Sequence, residues 1–387
     1  MGSPNRESGV VRAGGAFSVH ASVEEVKHTL HREQETLHAQ TTAAGRSGRR
    51  AGDDRGPAHG VPRRAFFQAC GAVLASVACG SGSDQPRPVI DRSTKPTPRV
   101  VVARDPNAVD TDLMPRPAAL KALLESGVRK VTGAPDMVSA FRELFKSDDR
   151  VGIKVNCLAG RRLSSHTGLV VLLTDALRAA GIRDRQILIW DRSDSDLQRA
   201  GFDLNRSGDG PFCFGTNADY EAEPTTVGSV AGCFSRILTE YCTALISVPV
   251  LKDHDLAGVS GTLKNFYGAI HNPNKYHDSN CDPYIADLNT HPAIQGKLRL
   301  VVCDALVGQC HGGPAFNAPY AWPFGGLLVS TDPVAVDRIA WKTIEERRRE
   351  KGLPSLADAK RAPTWIASAE RLGLGTSEMS RIEEVLV

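Results

Sequence analysis

Hydrophobic and polar positions alternate most clearly between residues 151 and 190. Val151-Gly152-Ile153-Lys154-Val155-Asn156 has the short, β-branched character of a buried strand, and Gln186-Ile187-Leu188-Ile189-Trp190 repeats it. Between them Leu169, Leu172, Leu173, Ala176 and Leu177 recur three and four apart, the spacing of one helical face over residues 166–180. Strand, helix and strand in that order predict two parallel strands joined by a right-handed crossover. Further buried strands are predicted at 100–103, 244–250, 298–304 and 326–330, and Pro249 marks a strand end. Helices are predicted at 117–124, at 135–145 with Met137, Phe141 and Leu144 on one face, and at 333–348 behind a Thr331-Asp332 cap. This alternation places residues 99–387 in the α/β class, as a mostly parallel sheet with helices on both faces.

Upstream of residue 99 the pattern changes. Pro62-Arg63-Arg64-Ala65-Phe66-Phe67, followed by an apolar stretch at 69–78 that ends in small residues, has the form of an export signal. That stretch is far shorter than the twenty or so residues of a stable membrane span. The paired arginines resemble the twin-arginine motif, which implies passage through the twin-arginine translocase and a periplasmic or cell-envelope location. Cys79, followed by the polar tether at 80–84, is a candidate for lipid attachment and membrane association, although Ser76 stands where a lipobox has leucine. The expected organisation is a disordered extension or misassigned start at 1–60, a signal segment at 61–79, a linker at 80–98, and the α/β domain. Val23, Val26 and Leu30 have helical spacing but are read as outside the fold.

Composition adds limits. With 41% hydrophobic and 24% charged residues the chain can bury a sizeable core. The net charge of +3 is small, so no nucleic-acid surface is implied. The cysteines contain no C-x-x-C pair and no ferredoxin-type run, which leaves no iron–sulfur motif in the sequence. Cys70 and Cys79 fall in the signal segment, and the odd set from Cys157 to Cys310 leaves at least one thiol unpaired. Cys157 and Cys303 lie in apolar runs and are expected to be buried thiols. Cys233 with Cys242, or Cys303 with Cys310, would close short loops.

Ligands of open parallel sheets collect at the carboxyl ends of strands. Lys154 and Asn156 end the first predicted strand of the crossover, and Asp191 to Asp194 follow the second. Lys252 and His254 follow the third, Asp304 closes the fourth, and Asp332 follows the fifth. The stretch from Lys252 to His277 is the densest: Gly258 and Gly261 allow close backbone approach, and Lys252 and Lys264 would attract a phosphate or carboxylate. It lacks P-loop spacing. His271 and His277 are candidate ligands of a divalent metal, the cofactor itself being unknown. A double glycine at 312–313 suggests a second loop, 308–314, and Ser165-His166 reads as a helix cap.

Four strings taken together, residues 151–156, Ser247 to His254, Gly261-Thr262-Leu263-Lys264-Asn265-Phe266-Tyr267-Gly268 and Ser330 to Asp337, resemble the bacterial and archaeal family called domain of unknown function 362. The likeness spans residues 99 to 350 and carries no established reaction with it. Some members have an attached ferredoxin module, for which this chain has no cysteine run. A fainter likeness is to the amino-terminal domain of nickel-dependent lactate racemases. It would make Lys264 the cofactor lysine and His254, His271 or His277 the acid and base, although Asn265-Phe266-Tyr267 replaces the small residues of that loop.

Three readings follow. In the first, an enzyme holds a small anionic compound with Lys252 and Lys264, with Lys154, Asn156, Gly261, Asn265 and Asp332 lining the ligand site; His254 moves a proton and Asp304 or Asp332 orients a base or a metal. In the second, a noncatalytic envelope protein binds the same anion or a metal. In the third, these groups only cap strand ends.

Overall fold

The computed structural model describes residues 97–387; the extension, the Arg63-Arg64 segment, Cys70, Cys79 and the linker up to residue 96 lie outside the described residues. In chain order the strands are β1 (Arg99–Arg104), β2 (Val151–Val155), β3 (Ile187–Trp190), β4 (Phe212–Cys213), β5 (Thr225–Val227) and β6 (Val230–Gly232). They continue as β7 (Ala244–Val248), β8 (Val250–His254), β9 (Gly258–Val259), β10 (Leu298–Gln309), β11 (Ala321–Ser330) and β12 (Glu383–Leu386). The α-helices are α1 (Pro117–Thr132), α2 (Met137–Leu144), α3 (Thr167–Ala180), α4 (Asp194–Ala200) and α5 (Thr262–Asn265), followed by α6 (Tyr284–Asn289), α7 (Pro292–Gln295), α8 (Pro333–Glu350) and α9 (Trp365–Arg371). None of the described helices is long and apolar enough to cross a membrane.

The main sheet runs β12-β1-β11-β10-β7-β2-β3-β4. Pairing is parallel from β10 through β7, β2 and β3 to β4, between β12 and β1 and between β10 and β8, and antiparallel where β11 lies between β10 and β1 and where β9 adds to β8. The sheet is therefore mixed but mostly parallel. Successive strand residues point to opposite faces, and both faces are covered. Leu300 and Val302 join Leu120, Phe141, Leu169 and Leu173 on the side of α1, α2 and α3. Val301 and Cys303 join Ile285, Ile339, Ile344 and Trp365 on the side of α6, α8 and α9.

Several elements are longer than their sequence pattern suggests. Helix α1 continues through Gly127 because a side chain there would meet Val329 Cγ2 at 2.8 Å, so glycine lets the helix lie close to the sheet. Strand β10 includes Gly308 and Gln309, which the double-glycine pattern assigned to a loop; the space a Gly308 side chain would fill holds the Trp322 ring. The carboxyl-terminal strand β12, which pairs with β1, was not anticipated.

The run read as one strand at 244–250 is two. Pro249 has no N–H to give to a ladder, and the chain shifts there from pairing β2 to pairing the far half of β10, with Val250 opposite Asp304 and Lys252 opposite Gln309. Lys252, Asp253 and His254 are consequently strand residues rather than loop residues, and they extend beyond the end of β7. The turn after β9 is set by Gly261 at φ 47° and ψ 174°. Asp337, fully buried in α8, accepts the amides of Thr262 and of Leu263, the latter at 3.0 Å, and so anchors the start of α5. A Cβ on Gly261 would lie 2.8 Å from that carboxyl group.

Gly261→Ala meets both a backbone conformation that is nearly glycine-specific and the Asp337 contact. It is expected to lower unfolding free energy by roughly 1–3 kcal/mol, read as a shift in the urea midpoint; an unchanged midpoint would mean the turn is not constrained in this way.

Candidate functional site

The chain adds β3 and β4 on one side of β2 and then returns to place β7 and β10 on the other, so the order reverses between β2 and β7. Crevices form at such a switch point, outside the carboxyl ends of the strands. Here the crevice is bridged by Asn265 of α5. Its Nδ2 donates to the Lys154 carbonyl of β2 at 3.2 Å and to Ser247 Oγ of β7 at 3.2 Å. Its Oδ1 accepts from Lys154 Nζ at 3.3 Å and Asn156 Nδ2 at 3.4 Å. All of the side chain's hydrogen-bonding capacity is engaged with protein, so Asn265 positions the site.

Beside this bridge lies a recess of about 170 Å³. Seven of the predicted residues line it: Lys154, Asn156, Lys252, His254, Lys264, Asn265 and His277. Period-two alternation along β8 explains why Lys252 and His254 both face it. Asp253 points the opposite way, to Arg361 at 3.2 Å and the Gly313 amide at 2.9 Å.

The three lysines are all buried, but their partners differ. Lys154 forms an ion pair with Asp191 at 2.7 Å and also donates to the Val155 carbonyl. Lys252 donates to Asn156 Oδ1 at 2.9 Å and to the Leu163 carbonyl at 3.2 Å, both neutral oxygens. Lys264 Nζ lies 3.1 Å from His277 Nε2 and 4.0 Å from the centroid of the Tyr267 ring. Among the described residues neither Lys252 nor Lys264 has a carboxylate bonded to it. Burial, which disfavours the charged form, brings both down from 10.5 to about 8.

The two histidines of the recess are neutral for related reasons. His254 Nδ1 accepts the amides of Leu256 at 3.1 Å and Ala257 at 3.2 Å, which places its proton on Nε2. Burial first, and then the positive charges of Lys264 and Lys252, push it down to about 2. His254 is thus a fixed hydrogen-bond donor rather than the proton carrier expected of it. His277 is lowered by burial and by Lys264 and is therefore neutral, and opposite the Lys264 ammonium at 3.1 Å its Nε2 is the acceptor.

Four predicted residues lie outside the lining. Asp304 accepts both the backbone amide of His166 at 2.8 Å and its Nδ1 at 2.9 Å, and so orients an imidazole other than His254. Burial works against protonation of His166, but the Asp304 carboxylate outweighs it and raises the imidazole above 6.5. The Ser165-His166 pair is accordingly no side-chain cap: Ser165 Oγ accepts the Asn156 amide and donates to the Val248 carbonyl. Asp332 caps α8 through the amides of Val334 and Ala335, Gly261 acts through its backbone, and His271 Nδ1 accepts the Cys233 amide. The expected metal pair therefore does not converge, since His271 and His277 spend ring nitrogens on different partners; among the described residues no group of three or more His, Cys, Asp or Glu side chains could hold a metal ion. Cys157 and Cys303 are buried, and the seven cysteines of the described region are free thiols rather than either short-loop pair.

Asp191, Arg192, Tyr267 and Asp337 were not singled out as site residues. The first two directly follow β3, a position that strand-end reasoning already favoured. Asp337 was legible only as the last residue of the Ser330 to Asp337 string, and its role was not, because its work is done on residues 74 and 75 positions away.

The two histidine environments differ measurably. In ¹⁵N spectra recorded while pH is lowered from neutral, His254 is expected to stay the neutral Nε2–H tautomer, whereas His166 is expected to be already protonated at 6.5. The stability His166 contributes is then full below 6.5 and fades as pH rises through its raised folded value. Titration of His254 near 6.5 would contradict the hydrogen-bond pattern drawn for it.

Comparison with curated proteins gives no match. Among solved structures, the crystal structure of a protein from Thermotoga maritima is 12% identical, with a TM-score of 0.38 over 61% of this chain and 59% of that one, so the likeness spans under two thirds of its length. Residues 151–342 match the family described as "Domain of unknown function (DUF362)", a stretch that contains every residue lining the recess. Through that domain the chain belongs to the DUF362 family.

Proposed function

We propose that the recess binds a small anionic compound and acts on it, with Lys252 and Lys264 supplying the positive charge and the Lys264–His277 pair handling a proton. One observation carries this reading: two buried ammonium groups face a single cavity with only neutral protein partners. Holding such charges away from water is costly. The shift from 10.5 to about 8 corresponds to about 3 kcal/mol for each lysine. A fold retains that cost most readily where a ligand's negative charge offsets it, as buried strain and unpaired charge concentrate at functional sites. The neutral Nε2–H of His254 suits an acceptor oxygen of the same ligand, and about 170 Å³ suits a compound of a few heavy atoms. A periplasmic or envelope setting, reached through the twin-arginine translocase and with Cys79 as a lipid site, is supported by the Arg63-Arg64 segment and the tether after Cys79.

Calorimetric titration with inorganic phosphate and with acetate tests the reading. Lys252→Met and Lys264→Met are each expected to weaken the tighter of the two anions about tenfold or more, and a variant that binds as well as the parent removes that lysine from the site.

The pH dependence has two parts with one cause. Anion affinity is expected to fall as pH rises through about 8, where the folded lysines release their protons. Because an unfolded lysine keeps its proton to 10.5, the penalty of the buried charge is present in full below 8 and is relieved between 8 and 10.5. Thermal melts should therefore show Lys264→Met gaining stability relative to the parent at neutral pH, with the gain shrinking above 8. The opposite trend would mean that the ammonium is stabilised by its surroundings.

A further inference from the structure

We propose that the ligand is a 2-oxo acid and that Lys264 joins its carbonyl carbon as an imine, with His277 as the adjacent proton carrier. This rests on the anion-binding reading above and names its substrate class.

The geometry separates the two unpaired lysines into different roles. Lys252 is bonded to Asn156 and Leu163 by oxygens that cannot accept its proton, and with no base beside it, it serves below about 8 as a cation suited to a carboxylate. Lys264 instead lies 3.1 Å from His277 Nε2, which opposite an ammonium donor presents its lone pair. An amine held against a base, in an enclosed recess and with no carboxylate to hold it protonated, is the arrangement of an activated nucleophile. Burial adds to this: with a value of about 8, about one lysine in ten is unprotonated at neutral pH, against fewer than one in a thousand at 10.5. Both lysines line the same small cavity, which requires the electrophilic carbon to lie next to the carboxylate, and a 2-oxo acid has that connectivity.

The step balances without an oxidant or reductant. His277 Nε2 takes one proton from the Lys264 ammonium, and the amine lone pair forms a C–N bond as the carbonyl π pair moves to oxygen. Transfer of a second proton from nitrogen to that oxygen gives a carbinolamine. The proton held by His277 then returns to the hydroxyl, the C–O bond breaks with loss of water, and the nitrogen lone pair closes the protonated C=N bond. The Nε2–H of His254 is a donor for the oxygen while it bears charge.

The test treats the full-length protein with pyruvate and sodium borohydride, followed by intact mass and peptide mapping, with propanoate binding measured in parallel. One reduced adduct per chain on Lys264, absent in Lys264→Arg and suppressed by excess propanoate, is the expected result. His277→Gln should slow adduct formation on Lys264 by about a hundredfold. Propanoate binding that depends on Lys252, together with no adduct on Lys264 or with adducts spread over surface lysines, overturns the imine and leaves the anion site standing. Failure of both propanoate and phosphate to bind overturns the two readings together.

Discussion

Two buried ammonium groups held in one recess by neutral atoms are the constraint around which this structure is arranged. Charge of that kind is tolerated only when the rest of the molecule is stable enough to carry it and rigid enough to keep carboxylates out of bonding reach of these two lysines. Each lysine costs about 3 kcal/mol, which is the gain from one or two fully buried aliphatic side chains. The core residues on the two faces of the sheet supply many times that number. The cost is therefore affordable locally, and its persistence is a matter of function more than of folding.

Rigidity comes from a small number of polar bridges between elements distant in sequence. Asn265 joins β2 to β7 across the switch point, Asp337 of α8 ties down the turn that begins α5, and Arg361 with Gly313 holds the rear of β8 through Asp253. Each bridge fixes one lysine-bearing segment: Lys154, Lys264 and Lys252 respectively. Their hydrogen bonds are saturated by protein, so these residues set geometry and leave ligand contact to the lysines and histidines. The Lys264-Asn265 string thus combines two jobs in adjacent positions, one facing the cavity and one facing the sheet.

The histidines divide similarly. Three environments give three behaviours: His254 is locked neutral by two backbone donors and nearby cations, His166 is held charged by Asp304, and His277 shares its lone pair with Lys264. A sequence reading that treats them as equivalent acid–base candidates cannot separate these cases, because the partner of each lies well outside its local string or in its backbone.

Periodicity alone determined the class of the fold, the crossover from β2 through α3 to β3, the buried face of α8, and the rim on which Lys154, Asn156, Lys252, His254 and Lys264 meet. These features follow from local pattern, since alternation in strands and three-to-four spacing in helices decide which side chains are buried. Tertiary structure decided the rest. It split the chain at Pro249 so that β8 runs beyond β7, continued α1 through Gly127, and added β12 to an edge for which residues 365–387 gave no reading. It also sent Asp304 to His166, Asp332 to a helix terminus and His271 to the Cys233 amide, away from the recess. Those outcomes depend on which distant backbone atoms and side chains arrive beside a given group, and hydrogen-bond partners tens or hundreds of positions apart leave no periodic trace along the chain.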